Sequence, residues 1–437
     1  MDAPPAYPLV EGFWIRNYKA LRQIAVGSSF QQSVVMDFAE DLVPYELTPL
    51  TLFVGDSGTG KSTILDAFVF LADCINYGVH HALSNRGGFK SVYHFGSTGP
   101  ISIGVVYRPC AESRTLTYIL NIDLNRRTHV PFVETEAIIY RDQQPGSQPK
   151  PVLLFQNGEK QTRLVQPWVG ANGSDISEVK RTNNQHLGLT ALARFEDLPD
   201  IPILKHYLCN FFVSSYVSSN ASNLSPPEFK SQAVRSQIGD SGSAPHGGKS
   251  PSSGNLALDL KRVKEKHSAE FDDILNVIAT RLSGIEKINY FANETGRSIL
   301  SFNRPGHEDV IYPTQLGEGT LRLLSHLLSL EDPIPTPLMG LEEPASFMGK
   351  SQIIAFVRFI QHHMRELGGT QFFATTNNNV LIDQMDPGDV WFLIRDDSGA
   401  IQTTRGIDEL QFFNIDINSI GPYWYSEYLY RDQRGPH

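Results

Sequence analysis

An α/β fold is what this 437-residue sequence predicts, and three stretches carry the prediction. An apolar run at residues 52–54 leads into Gly55-Asp56-Ser57-Gly58-Thr59-Gly60-Lys61-Ser62, and Thr63-Ile64-Leu65-Asp66 opens a helical spacing behind it. A second apolar run, Leu338-Met339-Gly340-Leu341, ends in Glu342-Glu343-Pro344. A third, Phe372-Phe373-Ala374, ends in Thr375-Thr376-Asn377. Open α/β sheets bind their ligands at the carboxyl ends of such strands.

Residues 55–62 fit G-x-x-x-x-G-K-[ST], the phosphate-binding loop. The glycines let the chain turn sharply and aim backbone N–H groups inward, where a helix N-terminus also favours anions. Lys61 is placed to reach the β- and γ-phosphates, and the Ser62 hydroxyl to ligate Mg2+. A chance glycine-rich turn would satisfy the four fixed positions in roughly one or two chains per hundred of this length. A strand before and a helix after make that coincidence rarer, so nucleotide binding is the reading.

Composition narrows the class. Hydrophobic residues make up 41% and charged residues 19%, as in ordinary globular proteins. The net charge of −10 speaks against a surface coated for non-specific nucleic-acid binding, though a local basic groove is compatible with it. The three cysteines, Cys74, Cys110 and Cys209, form no C-x-x-C pair and read as reduced thiols. The N-terminus lacks the basic-then-apolar pattern of a signal peptide, and no stretch has the apolar length of a membrane span. The expectation is a cytoplasmic protein with no membrane contact.

In chain order, residues 12–26 and 34–38 suggest strands. Residues 64–77 place Leu65, Phe68, Leu71, Ala72 and Ile75 at helical spacing. From 101 to 165 the period becomes two, through Ile101, Ile103, Val105 and Tyr107, then Leu116, Tyr118, Leu120 and Ile122, with Asn157-Gly158 as a hairpin turn. That is an antiparallel sheet distinct from the nucleotide-binding one. Residues 186–212 read as mixed to helical. Residues 217–255, rich in Ser, Asn, Gly and Pro, read as a long mobile loop. Residues 256–282 are helical by pattern, and 285–291 and 298–302 read as strands.

Leu316-Gly317-Glu318-Gly319-Thr320 then feeds Leu321, Leu324, Leu327 and Leu328 on one helical face. This is a second anion-binding terminus or a plain helix cap. Glu342 and Glu343 are two carboxylates at the end of a buried strand, expensive unless a cation sits there. Glu342 suits the Mg2+ shell, and Glu343 suits orienting and deprotonating an attacking water. A solvated pair at a strand end is the plainer alternative.

The order of these segments resembles the ABC-type ATPases of the SMC/RecF/OLD lineage, and more closely the stand-alone bacterial ATPases of that lineage found in anti-phage defence loci. Ile15-Arg16-Asn17-Tyr18-Lys19 resembles their I-R-N-F-K opening, and Arg86-Gly87-Gly88-Phe89 their R-G-G-F loop. Gly254-Asn255-Leu256-Ala257 resembles G-N-L-A, Gly319-Thr320-Leu321-Arg322-Leu323-Leu324 matches G-T-L-R-L-L, and Glu342-Glu343-Pro344 matches the E-E-P end. The resemblance implies a P-loop ABC-type ATPase head, a mixed sheet with flanking helices, plus an antiparallel β-subdomain and a helical insertion. It implies ATP with Mg2+, held between two head-to-tail protomers: Asn17, Lys19 and residues Gly55 to Thr63 from one, Leu316 to Thr320 from the other. Three positions depart from it. Gly317 stands where the family carries Ser, Asn377 where it carries His, and Ala345-Ser346-Phe347-Met348 where it continues E-x-x-L-H-P. Asn377 is still the switch residue by position, and an amide can hydrogen-bond but not carry charge at neutral pH.

His80-His81 and His362-His363 are adjacent pairs, whose side chains on a helix diverge by about 100°, so metal binding is the weaker reading. Asp396-Asp397 suits a hairpin turn better than a nuclease site, and the expectation is that no Toprim nuclease domain follows. Tyr423, Trp424, Tyr425, Tyr428 and Tyr430 suit either a docking surface or core packing. The expected organisation is 1–100 with the phosphate loop, 101–165 as the antiparallel part, 166–290 as the helical insertion, and 291–437 as the C-terminal lobe. The expected activity is ATP hydrolysis whose bound state, in a homodimer or larger oligomer, controls a separate effector such as a toxin or nuclease. A RecF-like DNA-repair ATPase and a catalytically weak nucleotide-gated scaffold are the alternatives.

Overall fold

The protein is described here by a computed structural model covering residues 8–27, 47–110, 113–141, 150–156, 162–165, 176–179, 187–193, 198–214, 252–253, 256–292, 298–331, 336–366, 369–396, 398–408 and 420–424. The chain divides into two units. One comprises residues 1–211, 337–339 and 367–437, and the other residues 212–336 and 340–366. The expected strand at 34–38, the Asn157-Gly158 turn, residues 425–430 and all of 217–255 except 252–253 lie outside the described residues.

The first unit holds an antiparallel sheet in the strand order Leu21–Gly27, Leu9–Tyr18, Ile101–Arg108, Thr115–Leu124, Pro131–Arg141, Lys150–Gln156, Thr162–Val165 and Ile176–Val179. The period-two alternation of 101–165 is thus part of a larger sheet that also takes in the N-terminal hairpin. A second sheet of this unit places Gln371–Thr376, Leu50–Val54, Val390–Arg395 and Ile401–Arg405 side by side. Leu50–Val54 runs parallel to both neighbours, and all five of its residues are buried. A parallel strand covered on both faces reads as a continuous apolar run, which is why 52–54 lacks alternation.

The helix Lys61–Tyr77 follows the phosphate loop and buries Leu65, Phe68, Leu71, Ala72 and Ile75, the positions that its spacing singles out, and also Ile64, Ala67, Val69, Phe70 and Cys74, which it does not. Phe68 packs on Phe13 edge-on at 5.1 Å between ring centroids and on Phe373 at 5.3 Å, while Phe53 meets Phe373 at 5.6 Å. Each such aromatic pair adds about 0.5–1.5 kcal/mol beyond its buried area. Together they seat the strand before the loop, the helix after it and the strand Gln371–Thr376 on one another. Gln371 adds a polar tie. Its fully buried side chain bonds both backbone groups of Val10, accepts from the Tyr207 hydroxyl and donates to the Thr48 carbonyl.

In the second unit the helical pattern of 256–282 is two helices, Leu256–Lys266 and Phe271–Arg281, separated at residues 267–270. The strands Lys287–Ala292, Ser298–Asn303 and Val310–Ile311 form an antiparallel sheet. The helix Glu318–Leu330 starts at Gly317 and is buried along nearly its whole length. Lys350–Glu366 is the other long helix of this unit. The strand Leu338–Glu342 begins in the first unit and ends in the second. Among the described residues, no helix is long and apolar enough to cross a membrane.

Candidate functional site

In the first unit, Gly60 sits at φ +90° as the residue before the helix, a backbone conformation that side chains with a Cβ rarely adopt. A Cβ there would also lie 2.5 Å from the Leu21 side chain at the tip of the N-terminal hairpin, so only glycine fits. Thr59 closes the loop by donating its hydroxyl and its amide to the Asp56 carbonyl, at 2.9 and 3.2 Å. Lys61 is buried, and its ammonium donates to the carbonyls of Gly55 and Asp56 at 2.7 and 3.0 Å. The cation is therefore stationed inside the loop. Ser57, Gly58 and Ser62 are exposed, and Thr63 is half-buried in the first helical turn. The leading N–H groups of any helix have no intrahelical acceptor. Here they open onto a loop whose cation is already in place, an arrangement that suits a phosphate chain.

The structure gives Asn17 and Lys19 supporting contacts. Both have left-handed backbones, φ +56° and +46°. The Asn17 amide donates to the carbonyls of Thr98 and Pro100. Lys19 pairs with Asp66 on the loop helix at 2.6 Å, and the Tyr18 hydroxyl donates to the same carboxylate. Arg86 of the R-G-G-F loop reaches that helix too, 2.7 Å from Asp73 and 3.5 Å from Asp66. Burial raises the Asp73 pKa, and the hydrogen bond and charge of Arg86 oppose that rise.

Asn377 follows the strand Gln371–Thr376, in which Thr376 is register partner to Val54, the residue before the loop. It is exposed. Its neighbour Asn378 is committed otherwise: its side chain accepts from the Val380 and Leu381 amides and caps a short helix. One residue that the motifs do not mark is Arg395, whose guanidinium donates to the Gly58 carbonyl at 2.9 Å and to the Gly399 carbonyl at 3.1 Å. The two positions are 337 residues apart, and no local pattern announces the contact.

In the second unit, Leu316 is half-buried, Gly317 exposed, and Glu318 and Thr320 half-buried at the start of the helix Glu318–Leu330. The Thr320 and Leu321 amides donate to the Gly317 carbonyl. A Cβ added to Gly317 meets nothing within 4 Å, so a serine would fit here. Gly319 differs, because its Cβ would fall 2.2 Å from the Phe347 carbonyl oxygen. Glu342 ends the strand Leu338–Glu342, half-buried. Glu343 is half-buried at φ +44°, and Phe347, at φ +64°, is 69% exposed. The Arg322 guanidinium donates to the Glu343 carbonyl at 3.2 Å.

Among the described residues no group of three or more His, Cys, Asp or Glu could hold a metal ion. Asp396 accepts from the amides of Ser398 and Ala400, as in a turn, and hydrogen bonds from Ser398 first and Gln402 next hold its carboxyl down at about 2. Trp424 is buried and stacks on Phe392 at 5.2 Å, so that end of the aromatic segment is core.

The AAA_21 family model, described as "AAA domain, putative AbiEii toxin, Type IV TA system", matches residues 50–383. No curated protein matches. Among solved structures, an SMC head bound to the C-terminal winged-helix domain of ScpA is similar at TM-score 0.47 and 12% identity, covering 92% of this chain and 100% of that one. The SMC head domain of Thermotoga maritima gives 0.39 and 13%, covering 91% and 98%. An SMC head from Pyrococcus furiosus with an extended coiled coil, bound to the C-terminal domain of ScpA, gives 0.44 and 12%, covering 93% and 99%.

Proposed function

The chain belongs to the AAA-domain family whose model spans residues 50–383, and from that premise we propose that it binds and hydrolyses ATP between head-to-tail protomers and uses the bound state to control a separate effector protein in bacterial anti-phage defence. The observation that carries the reading is the phosphate loop, with Gly60 at φ +90° and the Lys61 ammonium stationed on the Gly55 and Asp56 carbonyls. In this reading Lys61 neutralises the phosphates, and Leu316 to Thr320 of a second protomer close over them. Ser62 is exposed at a helix start and Glu342 sits at a strand end; both offer the oxygen donors that Mg2+ prefers, and the ion would neutralise phosphate charge. Glu343 deprotonates the attacking water, and Asn377 hydrogen-bonds near the γ-phosphate.

The family's description names the AAA domain itself as a putative toxin of a toxin–antitoxin system, a two-component setting in which a second protein acts alongside it. Slow turnover fits Gly317, which offers no hydroxyl, and Asn377, which carries no charge. In this reading the protein works in the cytoplasm, without a membrane.

The test is Glu343→Gln. It should keep ATP bound, slow hydrolysis by about 10²–10⁴-fold, and prolong an ATP-dependent dimer seen by mass measurement. Co-purification from the native host should then retain the effector with this variant. A protein that stays monomeric in every nucleotide state while DNA accelerates its hydrolysis would instead be a repair ATPase.

A further inference from the structure

Glu343 is held in a left-handed backbone conformation, φ +44°, in which a residue with a side chain is strained. Something must hold it there. Its carbonyl accepts from the Ser346 amide at 3.1 Å within its own turn and from the Arg322 guanidinium at 3.2 Å from the helix Glu318–Leu330. Arg322 is 8% exposed and lies over the Phe347 ring, 5.5 Å from its centroid. The first turn of that helix lies so close to the segment 343–348 that a Cβ on Gly319 would strike the Phe347 carbonyl oxygen. A planar guanidinium can stack on a ring and donate to a carbonyl at once, which an ammonium cannot do in the same geometry.

We infer that Arg322 is a positioning residue, fixing the backbone of Glu343 and thereby tying the placement of that carboxylate to the turn 316–320 that begins Arg322's own helix. The inference rests on the reading of Glu343 as the base in ATP hydrolysis. It deepens that reading, because one side chain then links the glycine-rich turn of a protomer to the base of the same protomer.

The experiment is a double-mutant cycle in single-turnover ATP hydrolysis by the full chain. Arg322→Ala should slow hydrolysis by about 10- to 100-fold, the range in which a base displaced by an ångström falls. Affinity for a fluorescent ATP analogue should stay within about twofold of wild type, because the phosphate loop is untouched. Arg322→Lys should fall between the two, and it carries the cycle if Arg322→Ala fails to fold. In a Glu343→Gln background the arginine substitution should add no further slowing, since its route to the reaction is already removed. Equal fold-losses in both backgrounds would overturn the inference and leave Arg322 as packing. A Glu343→Gln variant with wild-type turnover would remove the base assignment, and the inference with it. Hydrogen exchange across residues 343–348 should rise in Arg322→Ala; unchanged exchange overturns the inference without reference to turnover.

Discussion

The phosphate loop and the turn that follows the acidic strand solve one problem in two ways. Each must hold a charged group in a fixed attitude on irregular backbone. The loop holds its cation from within, since Lys61 is anchored by carbonyls five and six residues before it, and Thr59 by Asp56 three before, while Arg395 braces only the Gly58 carbonyl at its tip. The acidic turn adds a hold from outside, because the Glu343 carbonyl accepts from Ser346 in its own turn and also from an arginine 21 residues earlier on a separate helix. A self-contained site survives changes around it. A site held by a neighbour can be moved by that neighbour.

The largest expected effect strikes the self-contained region. Lys61→Ala should weaken binding of a fluorescent ATP analogue by about 100-fold or more, as one buried charge-assisted contact is lost. Unchanged affinity would mean that the loop is not the site. The second region should be sensitive to bulk where the first is sensitive to charge. Gly319→Ala should cost about 1–3 kcal/mol in chemical denaturation by forcing a methyl group onto the Phe347 carbonyl. Gly317→Ser, two residues away in open space, should stay within about 0.5 kcal/mol. Equal costs at the two glycines would break the argument that the helix is pressed against that turn.

Acid should separate the regions as well. His326 lies one turn beyond Arg322, fully buried, with its Nδ1 hydrogen-bonded to the Ser214 hydroxyl. Burial, and after it the charge of Arg322, push the imidazole from 6.5 down to about 3. An unfolded chain gains this proton below about 6.5, whereas the folded one waits until about 3. Stability from this residue is therefore whole above the upper value and falls between the two, by at most about 1.4 kcal/mol per pH unit. Unfolding midpoints between pH 4 and 7 should show that slope in the wild type and lose it in His326→Gln. The smallest effect sharpens the first region: Asn377→His should change single-turnover rate by a few-fold, roughly 1 kcal/mol, while leaving affinity alone. A shift in affinity without one in rate would sink its assigned role.

What was legible in the sequence follows the same division. The phosphate loop is written in eight consecutive residues, and Thr59 and Lys61 find acceptors within it, on Gly55 and Asp56. The Asp396 turn is likewise local, and it folds as its residue types suggest. The antiparallel sheet announced itself by alternation at 101–165, but its extension to the hairpin Leu9–Gly27 rests on pairings such as Trp14 with Gly104, which no periodicity marks. Arg395 on Gly58 and Gln371 on Val10 are contacts across 337 and 361 residues. Arg322 stood in a recognisable run of residues, yet its partner is a backbone carbonyl, and a carbonyl has no letter in a sequence. Asn17 and Lys19 are a different case. Their motif suggested the nucleotide, and their side chains are engaged with Thr98, Pro100 and Asp66.

The placing of Leu50–Val54 between Gln371–Thr376 and Val390–Arg395 has a consequence in time. A ribosome that has finished the phosphate loop has made neither flanking strand. At about 5–20 residues per second, tens of seconds pass before the first of them emerges. Throughout that interval the apolar strand has no permanent neighbour in its sheet, and the loop has no base to be rigid upon. A nascent chain arrested before residue 371 should therefore hold no ATP analogue, although its phosphate-binding motif is complete. Competence to bind nucleotide should thus arrive late in synthesis, when the C-terminal strands close around one of the earliest.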